Sequence, residues 1–243
     1  LIFNGGLVLV ILVLGWYAAT FIARDISLAE VGQVILMGFV TMLRVFALLV
    51  ISTVIWVPIG VAIGFNPRLS QLAQPVVLFL ASFPANFLFP FVTLFFIATG
   101  FSFNIGSMFL MALGAQWYIL FNSIAGAMSV PSDLREMTRS MGVRGWQLWR
   151  QLIIPAIFGS WVTGGITATG GAWNASIVAE IVSWGDTTLT AFGLGEYIAV
   201  ATEIGDWPRI VLGVGMMCVF VVAMNRLMWK RLYDIAERRF KLA

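Results

Sequence analysis

Long apolar runs dominate the sequence and leave few folds open to it. Several approach or exceed the roughly 20 residues a helix needs to cross a hydrocarbon core, and they lack the short alternating segments of barrel strands. A backbone in lipid must satisfy its own hydrogen bonds, so helices follow. Read against Gly, Pro and charge, the runs place spans at residues 1–23, 34–64, 72–99, 105–128, 156–182 and 209–229, about six in all. Composition agrees: of 243 residues, 60% are hydrophobic and 10% charged, against roughly 25% charged in a soluble domain. The expected class is an all-α, polytopic integral membrane protein with one transmembrane domain over residues 1–243. Pro58 and Pro84 fall inside runs longer than a span needs, so kinks or breaks are expected there. The opening run shows no cleavage site and reads as a span. It begins with Leu rather than Met, so residues are expected to precede it.

Missing residue types narrow the chemistry. The chain has no His, which removes imidazole from base catalysis, proton relay and metal binding. Its one Cys, Cys218, lies in an apolar run, excluding an internal disulfide or thiolate cluster and suggesting helix packing. No G-x-x-x-x-G-K-[ST] loop occurs, so the chain has no such cradle for ATP. No catalytic residue, metal ligand, cofactor or nucleic-acid partner is expected.

Charge sets the orientation. Eleven of the 14 Lys and Arg residues fall on one side if the loop around Glu136 is cytoplasmic: Arg68, the loop's four arginines, and Arg226 to Lys241. The positive-inside rule then puts both termini in the cytoplasm, with the basic tail on anionic lipid. The opposite side collects Asp25, Glu30, Asp186, Glu196, Glu203 and Asp206, and residues 183–208 form its long connection.

The polar loop, residues 129–156, contains "EMTRSMGVRGWQLWRQLIIP". Pro131-Ser132-Asp133 followed by Glu136 reads as a helix start, with Asp133 and Glu136 as a capping box. Leu134, Met137 and Met141 share one face, and Arg135 and Arg139 another. Gly142 is a natural stop. Trp146, Trp149 and Leu152 recur in a second short helix before Pro155 opens the next span. By composition alone this is equally an interfacial helix.

The spacing of Glu136, Gly142, Leu152, Ile154 and Pro155 resembles the E-A-A-x3-G-x9-I-x-L-P loop of permease subunits of binding-protein-dependent ABC importers. Met137 and Thr138 stand where that pattern has two alanines. The resemblance implies a type I ABC importer permease fold, with Glu136, Met137, Thr138, Arg139, Met141, Gly142, Leu152 and Pro155 coupling to a separate ATPase. It further implies two cytoplasmic ATP-binding subunits that carry ATP and Mg, a second permease half, identical or homologous, and an extracytoplasmic substrate-binding protein, all at a bacterial inner membrane. "GGAWNASIVAEIV", Gly170 to Val182, with "GLGEYI" further on, is most similar to the subgroup importing nitrate, sulfonates, taurine or bicarbonate.

The path for a solute is expected near "TGGITATGGAWNASIVAE", Thr163 to Glu180, rich in hydroxyls and glycines. Gly164, Gly165, Gly170 and Gly171 suit close helix packing. Thr167, Thr169, Trp173, Asn174 and Ser176 either line a polar path or pack between helices. Glu180 is either a packing carboxylate or a gate. Arg44, a basic residue deep in a span, either attracts an anion or pairs with a carboxylate or helix-end carbonyls. Gln116 and Asn122 are path or interhelical candidates, and Asn86 is placed to satisfy backbone beside Pro84. The competing class is a secondary transporter or channel, which calls for internal repeats or an ion relay; neither is visible. An intramembrane enzyme ranks last for want of clustered acids and nucleophiles.

Overall fold

A computed structural model describes residues 2–185 and 187–239. Leu1, Asp186 and Lys241 lie outside the described residues. Helix α1 (Ile2–Asp25) occupies the place of the first expected span. Helix α2 (Leu28–Gly64) starts where Ser27 Oγ accepts the Glu30 amide at 3.2 Å. It runs through Pro58 without a break, which leaves only a kink of the two expected effects of that proline.

At Pro84 the break is real. Phe83, preceding Pro84, is held in extended conformation, so α3 (Pro67–Ser82) ends there. A 3-10 turn over Ala85–Leu88 leads into α4 (Phe89–Thr99), and the two arms meet at 80°. Among the described residues, four helices have the length and apolarity of a span, and the bent pair makes up to five, against the expected six.

Helix α5 (Phe103–Met128) is the central post, packed against α2 on one side and α8 (Ile154–Ala179) on the other. Hydrophobic burial gives little net drive between helices in lipid, so close contact between backbones must supply the attraction. Gly60 and Gly64 of α2 fit against Ser123 and Ala127 of α5, where an added methyl would meet each Cβ at 2.6 Å. Gly164 of α8 meets Asn122 in the same way at 2.7 Å. Leu48, Leu110, Met111, Ile119, Val162 and Trp173 fill the core among these helices.

Two short helices precede α8 at the basic end, α6 (Ser132–Ser140) and α7 (Gly145–Leu148). Beyond α8, the connection at the acidic end is folded rather than irregular. Strands β1 (Ile181–Trp184) and β2 (Thr187–Thr190) form an antiparallel hairpin, followed by α9 (Leu194–Ile204). Then α10 (Trp207–Met224) starts on an Asp206 cap, and a π turn joins it to α11 (Lys230–Arg239). Cys218 is exposed on α10 and not packed between helices.

Candidate functional site

The loop at the basic end is a stiff element. Its α6 closes in a complete Schellman motif: Val143 N donates to Thr138 O at 3.0 Å and Gly142 N to Arg139 O at 3.1 Å. Gly142, at φ 68°, supplies the left-handed residue this closure needs. The start is not the expected capping box. Pro131 takes the cap position with no side-chain bond, and Ser132 Oγ instead donates to Asp133 Oδ1 at 3.2 Å. Because the helix begins a residue before Asp133, that carboxylate sits in the first turn, where it complements the helix dipole.

The faces of α6 are not divided simply into apolar inside and charged outside. Arg135 lies inward, its guanidinium 5.4 Å over the Phe65 ring. Thr138 is half-buried, its hydroxyl donating to the Leu134 and Arg135 carbonyls, each at 3.0 Å. Met137, Met141 and Trp146 point outward, 52%, 70% and 70% exposed, beside exposed Glu136 and Arg139. Flexible, polarizable methionines on an open surface suit a contact with another protein.

No flexible linker separates this loop from the bundle. From α7 the chain passes through a π turn at Trp149–Ile153 directly into α8, so Gly145–Ala179 is one 35-residue helix. The wide turn precedes Pro155, which lacks the amide an α turn would use there. Leu152 is buried in it. Trp146 and Trp149 line an apolar groove of about 520 Å³ with Val57, Pro58, Ile157 and Trp161.

Helical phase divides the expected path residues. Thr163, Thr167, Gly170 and Asn174 are exposed on one stripe of α8, three to four residues apart. The Thr167 hydroxyl donates to Thr163 O at 3.0 Å, a bond that rotation can release, and no charge occurs in α8. Thr169, Trp173 and Ser176 are buried on the other side: Thr169 accepts from Trp229 Nε1 at 3.0 Å, and Ser176 donates to Trp173 O at 2.7 Å. Gln116 accepts from Trp56 Nε1 at 2.9 Å, and Asn122 donates to Tyr118 O at 2.8 Å. Thr163 and Gly170 extend the stripe beyond the expected residues; the i, i+4, i+7 spacing was the signal for both.

Arg44 is held by the protein. Its Nη1 donates to Glu180 Oε1 at 2.6 Å, its Nε to Asn104 O at 3.0 Å and its Nη2 to Asn104 Oδ1 at 2.9 Å. Glu180, fully buried, also accepts from the Thr41 hydroxyl at 2.8 Å and the Gly195 amide at 2.7 Å. Thr41 in turn accepts the Leu194 amide at 2.9 Å. A side chain on Gly193 would collide with the Glu180 carboxylate, and one on Gly195 with the Ser176 carbonyl. The far end of α8 is thus clasped to α2, α5 and the start of α9. Asn104 had no distinguishing sequence signal. A second cluster at the acidic end joins Arg209 to Glu30 at 2.6 Å and to Asp206, with the Tyr197 hydroxyl donating to Glu30 at 3.0 Å.

A bundle with a broken span, a continuous helix rising from a polar loop and a hairpin at its far end has the type I ABC importer permease fold. A chain of a structure of the MetNI methionine ABC transporter in inward-facing conformations superposes with a TM-score of 0.65 at 18% identity, covering 88% of this chain and all of that one. Residues 56–242 match the family described as binding-protein-dependent transport system inner membrane component, and the chain belongs to that family. An ABC transporter permease protein of Methanocaldococcus jannaschii is 24% identical over 82% of this chain and 70% of its own length. The bicarbonate transport system permease protein CmpB of Synechococcus elongatus is 26% identical over 68% of this chain and 56% of its own.

Proposed function

We propose that this chain is the permease half of an ATP-driven importer, its polar loop docking on a cytoplasmic ATPase and its α8 stripe facing a second permease half across the path. The observation that carries this reading is the outward set of Met137, Met141 and Trp146 on a capped helix that continues, without a flexible joint, into the helix bearing the stripe. Displacement of such a rod reaches its far end. Glu136 and Arg139 supply the polar rim of the docking face. Two ATPase copies bind ATP and Mg, and a substrate-binding protein delivers solute at the acidic end. Positive-inside counting supports cytoplasmic termini, and the family resemblance supports a bacterial inner membrane.

The transported solute is a small oxyanion such as bicarbonate, nitrate or a sulfonate. Similarity to a bicarbonate permease supports this, as do neutral donors in the stripe: the Asn174 amide and rotatable threonine hydroxyls hold an anion weakly enough to release it. Arg44 is then a structural cation, because Glu180 already neutralises it.

The test is ATPase activity and ATPase pull-down of the co-expressed complex in lipid, comparing wild type with Gly142→Asp and Glu136→Ala. Uncoupling or release of the ATPase with the permease still folded supports the docking role. If no ATPase associates with the wild type and neither substitution changes anything, the loop is an interfacial helix and the chain a secondary transporter.

A further inference from the structure

We infer that the recess between α6 and the end of α2 is a binding site for the phosphate of an anionic lipid headgroup in the leaflet at the basic end. The recess has a volume of about 380 Å³ and brings together Arg135, Arg139 and Arg144 over an apolar floor of Phe65, Val143 and Leu148. Among the described residues none of these three arginines forms an ion pair. Arg135 donates from Nη1 to the Phe65 carbonyl at 3.4 Å, while its Nε is buried with no acceptor. Three like charges sharing one recess repel one another, and a buried donor without a partner is costly. A phosphate oxygen removes both penalties, and planar guanidinium forks match phosphate geometry.

Depth selects the lipid. Phe65 caps the apolar helix Leu28–Gly64, whose expected span ends at Gly64, and Arg144 lies in the polar loop ahead of the helix Gly145–Ala179. Through Phe65 the recess borders the point where the first of these spans meets the headgroups, with apolar side chains there for the glycerol and upper acyl carbons. Basic pockets between spans at this level hold phosphorylated headgroups. The recess shares Arg139 with the rim of the docking face but not Met137, Met141 or Trp146, so a bound lipid borders a docked protein without displacing it.

The experiment titrates the purified, delipidated full chain with fluorescent phosphatidylglycerol or phosphatidylcholine, with and without excess inorganic phosphate. Wild type is expected to prefer phosphatidylglycerol, and Arg135→Gln/Arg144→Gln to weaken that lipid roughly 30-fold while leaving phosphatidylcholine unchanged. Arg144→Gln alone, at an exposed position with no side-chain bond, should give part of the loss without disturbing the fold. Arg226→Gln/Lys230→Gln in the tail, which is expected to touch anionic lipid diffusely, should weaken that lipid by less than the Arg135/Arg144 variant does. An unchanged preference in the Arg135/Arg144 variant, or an equal or larger loss in the tail variant, overturns the site. Displacement by inorganic phosphate at concentrations matching the lipid overturns the lipid as its source. Release of the ATPase by Arg144→Gln with lipid preference retained assigns the recess to the protein interface and likewise overturns it.

Discussion

A guanidinium deep in a span is tolerated only when its charge and its donors are matched, and Arg44 shows how completely that can be done with one carboxylate and one asparagine. Removing either partner of a buried pair leaves an uncompensated charge. Glu180→Ala should therefore lower stability by about 3–5 kcal/mol in denaturant unfolding of the purified chain. Replacing both partners, as Arg44→Met/Glu180→Met, should cost less than Glu180→Ala alone. Half-buried Glu196 behaves differently: burial, then the neighbouring Glu180 charge, pushes its carboxyl above the usual range. The folded chain thus binds this proton more tightly than the unfolded one. Its contribution is fully present below the unfolded pKa and is lost as pH rises through the raised value. Glu196→Gln should flatten that decline in thermal unfolding measured across pH. The sequence marked Arg44 as anomalous, because one charge among apolar neighbours is a local signal. It could not name Glu180 as partner, 136 positions away, because that pairing exists only once α2 and α8 are packed.

At the scale of elements, spans and stops were legible because hydropathy and glycine act locally. Gly142 ends α6 as its spacing implied, and Pro84 breaks the third apolar run. Pro58 does not interrupt α2, since losing one backbone bond is tolerable in a helix held against α5 by Gly60 and Gly64. Composition alone grouped Thr167, Thr169, Trp173, Asn174 and Ser176; the 3.6-residue turn separates them into an exposed and a buried set. Gly142→Ala puts a side chain on a left-handed residue and should destabilise α6 by roughly 1–2 kcal/mol. Amide exchange should quicken across Ser132–Ser140, while exchange in α8 stays unchanged.

For the whole molecule, the stripe makes a claim about water. With Cys218 replaced by Ser, single cysteines at Thr167 and Asn174 should react with a charged, membrane-impermeant thiol reagent in the assembled transporter, and those at Thr169 and Ser176 should not. Equal reactivity in both sets would remove the assignment of the stripe to the path. What no single chain reveals from its sequence is which exposed face meets lipid and which meets a partner, because both begin as unburied surface. The π turn at Trp149–Ile153 adds a rotational degree of freedom to this picture. It takes up one residue more than an α turn, so closing it would swing Gly145–Leu148 about the rod by roughly 100°, one residue's worth of phase. Trp146 would turn relative to Trp161 across the groove while the threonines of the stripe stayed fixed. Such a closure would re-aim the two ends of one continuous helix against each other without bending it.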